Sequence, residues 1–244
     1  MTTDVSQAAD RDQALDYLRR ADPVLAPLLA AHPDFDPRAW RRELPPFDAF
    51  GALLFQVIGQ QLSVAATRGI LRRVQDLFGG KLPTPAEILA AAPDDLHQAG
   101  LSRRKVTTLR AVAEQFVAGR LSDEQLRQMS DEEIEAQLTA IPGIGPWTVQ
   151  GFLIIALDRQ DVVLPGDLAL RKSIRRLYGM DHLPSQQEVL QLSEPWRPYR
   201  SLATSYLFQA AFDAVTEPSQ SGSSRSRSTS STRRYGSKSL DIEV

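Results

Sequence analysis

The chain has 244 residues, 42% of them hydrophobic and 24% charged, with a net charge of −2. That suits one large soluble domain or two small ones, and argues against gripping nucleic acid or membrane by bulk charge. There is no cysteine, and the histidines, His32, His97 and His182, stand in separate neighbourhoods. Disulfides, cysteine-held zinc or iron–sulfur clusters and thiol nucleophiles are thereby excluded, while a histidine-rich metal site or an Asp-His-Ser triad is disfavoured.

The first residues, Met1 to Asp12, are polar and acidic. No apolar run approaches the roughly 18 to 20 residues a bilayer span needs, so an intracellular protein with no membrane partner is expected, in cytoplasm or nucleoid. Apolar residues then recur at helical spacing over Leu15 to Leu29, over Phe50 to Phe78 with a break near Gln60 to Ser63, and over Val106 to Val117. The same spacing returns over Trp147 to Leu157, Leu168 to Leu177 and Leu202 to Phe212. Thr84 to Glu87, Ser122 to Gln125, Ser130 to Glu133 and Ser185 to Glu188 each pair an N-cap hydroxyl with a Glu or Gln three residues on, the pattern of a capping box. About ten to twelve helices and an all-α fold follow. Only Asp161 to Leu164 reads as extended, and it is too short and isolated to seed a sheet. Residues 217–244 are Ser- and Arg-rich with few aliphatics, which predicts a disordered tail.

Chemistry concentrates in Leu138 to Gln150, where a capped helix runs into Pro142-Gly143-Ile144-Gly145 and Pro146 opens the next helix. The two glycines permit positive φ and bare the backbone, so successive N–H groups at a helix N-terminus can face a phosphate oxygen, with Ile144 anchoring the turn. A bare Gly-x-Gly also makes a plain helix corner; Pro-Gly-Ile-Gly between two helices is the helix-hairpin-helix pattern of sequence-independent DNA binding. Leu164-Pro165-Gly166-Asp167 follows. A hairpin helix of about 12 residues would carry the chain roughly 18 Å away, and the extended residues after it reach far enough to return Asp167 to the hairpin. There Asp167 either caps the helix that follows or presents a carboxylate to a bound strand. Arg171, Lys172, Arg175 and Arg176 form a basic stripe on that helix, and Arg103, Arg104 and Lys105 open another; each group is a phosphate contact or simply a solvated face.

Together the hairpin and aspartate resemble the helix-hairpin-helix/Gly-Pro-Asp superfamily of base-excision DNA glycosylases. Ile58-Gly-Gln60-Gln61-Leu62-Ser63 is similar to that family's Ile-x-Gln-Gln-x-Ser segment, and Trp196-Arg-Pro-Tyr-Arg200 to its C-terminal motif. Over residues 10 to 216 the resemblance is to the 3-methyladenine DNA glycosylase II (AlkA-type) branch. It implies two helical subdomains flanking a DNA-binding cleft with the hairpin at the cleft and no N-terminal β-domain. Residues 1–48 would pack with the C-terminal part, 49–159 form the central subdomain, 160–216 carry the catalytic aspartate, and 217–244 form the tail.

The resemblance further implies a monomeric, monofunctional glycosylase that flips alkylated purines, of N3-methyladenine or N7-methylguanine type, out of double-stranded DNA and hydrolyses the base–sugar bond. Trp147 stands where bifunctional relatives carry a Schiff-base lysine. Asp167 would be the catalytic carboxylate; Trp147, Phe208 and Gln60 the base pocket; Gly143, Ile144, Gly145 and Thr148 the grip on the DNA backbone; and Gln61 or Leu62 the wedge. For Phe208, packing in the core is the other role open to it. No cofactor is implied beyond a structural Na+ or K+ on the carbonyls of Thr139, Ile141 and Gly143. A pocket tyrosine of the family falls on Gly151 and an aromatic on Leu168, implying a roomier, less aromatic pocket. Two other functions stay open: a non-catalytic hairpin module that only binds DNA, and a bifunctional glycosylase/lyase for oxidised bases.

Overall fold

The computed structural model describes residues 2–216; the predicted tail lies outside them. Among the described residues there are thirteen α-helices, two 3-10 turns and no strand. The helices are α1 (Thr2–Ala21), α2 (Ala26–Ala31), α3 (Ala49–Gly59), α4 (Val64–Leu77), α5 (Pro85–Ala90), α6 (Pro93–Gln98) and α7 (Arg103–Val117). They continue as α8 (Asp123–Gln128), α9 (Asp131–Thr139), α10 (Pro146–Leu157), α11 (Leu168–Leu177), α12 (Gln186–Ser193) and α13 (Arg200–Thr216). The 3-10 turns are Ala39–Glu43 and Glu194–Trp196. None of these helices is long and apolar enough to cross a membrane.

The all-α expectation is met with more helices than expected, for two reasons. Leu15 to Leu29 does not form one helix: Asp22 turns its carboxylate onto the N–H groups of Val24 (2.9 Å) and Leu25 (3.4 Å), and with Pro23 this ends α1 and restarts the chain as α2. Helices of six residues such as α6 are also too short to register a 3.6-residue period. Thr84, Ser130 and Ser185 close reciprocal capping boxes. Ser122 caps α8 through the N–H of Gln125 alone, without a recorded return bond.

Two apolar cores result. The first spans α3 to α10 and the start of the following strand-like segment; α3 lies at its centre, with Phe50, Leu53, Leu54 and Ile58 all at most 2% exposed. Each such side chain contributes about 1.5–3 kcal/mol of burial. Basic residues of α7 close neighbouring helix ends. Arg110 donates to the carbonyls of Ile88, Leu89 and Ala91 at the end of α5, and Lys105 donates to those of Ile58 (2.8 Å) and Gln60 (2.9 Å) at the end of α3. Burial lowers the Lys105 pKa from its ordinary value of 10.5.

The second core joins Leu15, Leu18, Leu25 and Leu29 to Val163, Leu164, Leu170, Trp196, Tyr206 and Leu207, so the N-terminal helices pack with the C-terminal ones. Its polar centre is Asp22, 8% exposed, which accepts the indole N–H of Trp196 (2.7 Å) and the hydroxyl of Tyr178 besides its two backbone donors. Burial and this bond raise the Tyr178 pKa. α10 bridges the cores, placing Val149, Phe152 and Ile155 in the first while Trp147 and Ile154 pack against the second.

Candidate active site

The hairpin joins α9 to α10. Gly143 takes φ +91° and its missing Cβ leaves room for buried Thr108 of α7, whose Oγ1 would lie 2.0 Å from such an atom. Here glycine is obligatory for the fold. Gly145 differs from expectation: its φ is −118°, open to any residue, and a Cβ there would meet nothing within 4 Å. Its bareness therefore serves whatever approaches from outside.

The N–H groups of the turn divide in the same way. That of Ile144 donates to Ile141 O at 3.0 Å, and the Ile144 side chain is 6% exposed, so Ile144 anchors the turn and its N–H is spent there. Thr148 is also withdrawn: its N–H bonds Gly145 O (2.9 Å), its hydroxyl accepts from Gln60 Nε2 (3.0 Å), and the residue is 2% exposed. Both were expected to grip the DNA backbone; in the structure their N–H groups, and the Thr148 hydroxyl, already have partners within or beside the hairpin. The N–H groups of Gly143 and Gly145, and that of Trp147 in the first turn of α10, have no partner among the described residues and keep their capacity for an outside acceptor such as a phosphate.

Gln60, predicted in the base pocket, ties the end of α3 to the hairpin, with Nε2 donating to Gly143 O (3.0 Å) as well as to Thr148. Beyond it Gln61 holds φ +58°, a left-handed conformation costing a non-glycine residue roughly 1–2 kcal/mol. Gln61 and Leu62, the predicted wedge residues, are both exposed, Leu62 at 38%. Lys105 clamps the carbonyl just before this strained residue, so it belongs to the loop rather than to a phosphate-binding or solvated face.

After α10 the chain turns at Asp158 (φ +51°), whose carboxylate meets Arg41 at 2.9 Å, and continues without regular structure to a turn at Pro165-Gly166, closed by Asp167 N to Leu164 O at 3.0 Å, before α11. The predicted C-terminal motif fastens this run. Arg200 reaches Asp161 with Nε at 2.6 Å and its second nitrogen at 3.1 Å, Arg197 reaches the same carboxylate at 2.6 Å, and Ser201 Oγ bonds Arg159 O (2.7 Å) and Val162 N (3.0 Å). Held so, Asp167 arrives beside the hairpin, as chain length alone allowed. Its Oδ1 caps α11 through the N–H of Leu170 (2.9 Å) and its Oδ2 accepts the indole N–H of Trp147 (2.9 Å). Of the two roles read from sequence the capping one is seen directly, and half-buried Asp167 keeps acceptor capacity on both oxygens.

Phe208 is half-buried on α13 and packs against the second core. Leu168 is 46% exposed next to Asp167. In the basic stripe, Arg171 bonds Pro184 O and Arg176 bonds Ala210 O, while Lys172 and Arg175 stay exposed. The space above Gly151 is not open, against expectation: the carboxamide of Gln56 from α3 lies where a Cβ would be, 2.5 to 2.8 Å from that position. Sequence reasoning passed over Gln56, although a signal was present, one amide inside the apolar run Phe50 to Ile58.

Residues 55–198 match the family model of the HhH-GPD superfamily of base excision DNA repair proteins. DNA-3-methyladenine glycosylase 1 of Schizosaccharomyces pombe is 33% identical over 172 residues, 70% of this chain and 75% of that protein. DNA-3-methyladenine glycosylase 2 of Escherichia coli is 30% identical over 171 residues, 66% of this chain and 57% of that relative. Among solved structures, the Schizosaccharomyces pombe 3-methyladenine DNA glycosylase in complex with abasic DNA superposes with a TM-score of 0.75 at 31% identity, covering 81% of this chain and 95% of that one.

Proposed function

The chain belongs to the HhH-GPD superfamily of base excision DNA repair proteins and is an alkylbase DNA glycosylase, and we propose that it excises flipped alkylated purines by hydrolysis alone, with Asp167 as its catalytic carboxylate. The observation that carries the proposal is the placing of a half-buried carboxylate against the hairpin by an indole N–H at 2.9 Å. The C1′–N bond breaks with its electron pair leaving on the base. An N3- or N7-alkylated purine already carries positive charge and departs neutral, so no strong general acid is required. Asp167 stabilises the positive charge developing on the sugar and orients the water that adds to C1′. The flipped, electron-deficient base settles on aromatic faces, Trp147 first.

Trp147 cannot form a Schiff base, which supports monofunctional chemistry. The N–H groups of Gly143 and Gly145 hold a phosphate, and Gln61 or Leu62 enters the gap the base leaves. A monovalent cation would sit on the carbonyls of Thr139, Ile141 and Gly143. Those of Ile141 and Gly143 each accept one hydrogen bond already and keep a second lone pair, so the set fits an oxygen-seeking ion that would add positive charge beside the phosphate. The protein would work as a monomer on chromosomal DNA, in the cytoplasm or nucleoid.

The test is release of N3-methyladenine and N7-methylguanine from methylated duplex DNA. Asp167→Asn should lose on the order of a thousandfold in rate while keeping the melting temperature, since asparagine also caps helices. A silent wild type would leave only a DNA-binding module, and an undiminished Asp167→Asn in an active protein would remove Asp167 from the chemistry. Borohydride should trap no covalent DNA adduct; an adduct would mean lyase chemistry.

A further inference from the structure

Gln56 on α3 and Gln60 at its C-cap lie four residues apart, and both reach α10, at Gly151 and Thr148. Gln60 is fully engaged in bracing the hairpin through its amide nitrogen. Gln56, 5% exposed, has no hydrogen-bond partner among the described residues, yet its amide atoms are not among those sealed from solvent without one. A side chain this deeply buried whose carboxamide is unpaired within the protein, yet still reaches solvent, is open to something from outside the fold.

The position says what that something is. The carboxamide lies over Gly151, and Gly151 stands one helical turn beyond Trp147 on the same face of α10, about 6 Å along its axis. Trp147 in turn bonds Asp167. Carboxylate, indole and idle amide thus follow one another along the wall where the flipped base would lie.

Resting on the glycosylase function proposed above, we infer that Gln56 reads the edge of the flipped base and determines which lesions are excised. A carboxamide offers one acceptor and two N–H donors. It can therefore pair at two points with N6–H and N7 of N3-methyladenine, or with N1–H and O6 of N7-methylguanine or hypoxanthine. It selects purines that keep a donor beside an acceptor. Etheno-bridged adenine, whose fused ring leaves no N–H on that edge, keeps only acceptors there and can pair with it at one point at most.

Two variants test this with single-turnover excision and with binding to a duplex carrying an abasic-site analogue, which has no base to read. Gln56→Leu keeps the bulk and removes the polar atoms. Gly151→Ala keeps the amide and pushes it from its place, since the new methyl falls 2.5 Å from Gln56 Oε1. Both should lower release of N3-methyladenine and N7-methylguanine by about tenfold or more, as expected for a lost two-point contact, with a clearly smaller fall for 1,N6-ethenoadenine and affinity for the abasic duplex unchanged. Equal loss on every lesion together with weaker abasic binding and a lower melting temperature would mean a structural amide and overturn the inference. So would unchanged rates in both variants. A wild type inactive on all lesions would instead remove the glycosylase function itself, and this specificity with it.

Discussion

Two carboxylates in this protein share a bonding pattern and differ in how far it is filled. Asp22 and Asp167 each accept an indole N–H, from Trp196 at 2.7 Å and Trp147 at 2.9 Å, and each accepts backbone N–H groups at a helix start. Asp22 has Tyr178 as a further donor and is 8% exposed, so its bonding capacity is used up inside the second core. Asp167 stops at two donors and stays half-buried. The hairpin repeats the contrast, with the N–H of Ile144 spent on the turn and those of its flanking glycines unspent. Polar groups whose capacity is filled by the protein hold the fold, and groups with capacity left over are the ones the proposed function assigns to DNA.

The largest effects should come from breaking the filled node. Asp22→Ala strands two side-chain and two backbone donors and should cost about 3–5 kcal/mol in urea unfolding, with excision per folded molecule unaltered. A matching loss of activity would erase the distinction between the two carboxylates. Next come the two indoles. Trp147→Phe removes one bond to a charged group and should slow excision by about ten- to a hundredfold with little change in stability. Trp196→Phe should cost stability by about 2–4 kcal/mol and leave the rate alone.

Smaller again is the glycine pair. Gly143→Ala forces a methyl onto Thr108 at positive φ and should destabilise by at least about 2 kcal/mol. Gly145→Ala should fold normally yet bind duplex about tenfold more weakly, because its methyl crowds the phosphate seat. Equal melting losses in both would contradict the separation of roles.

The smallest effect belongs to a surface cluster. Exposed His182 bonds Asp181 and Glu188, both at 2.8 Å; these bonds raise its pKa above 6.5, and Glu188 is drawn down to about 2 mainly by the Ser185 backbone bond. The histidine's stabilisation is therefore complete below pH 6.5 and lost as pH rises through its raised value. The melting difference between wild type and His182→Gln should shrink on that rise, and a difference that grows instead would contradict the assignment.

Much of this was legible in the residues because it rests on local rules. The helix starts at Thr84, Ser130 and Ser185 need only a hydroxyl and an acid three residues on. The return of Asp167 needs only chain length, and the break at Gln60 to Ser63 only a stop in the apolar period. The split at Asp22 was missed because a buried aspartate and a proline look like any interruption until their distant partners, Tyr178 and Trp196, are in place.

The sequence by itself determined the helical class, the hairpin, the aspartate and the family, since each is carried by short runs of neighbouring residues whose propensities and spacing do not depend on the rest of the chain. Only the tertiary structure decided which polar groups are spent. Whether Gln60 or Gln56 is free, whether Thr148 can touch a ligand, and what fills the space over Gly151 depend on residues far apart in the chain meeting at hydrogen-bond distance. A linear pattern cannot supply that, because a side chain's residual bonding capacity is a property of its neighbours in space.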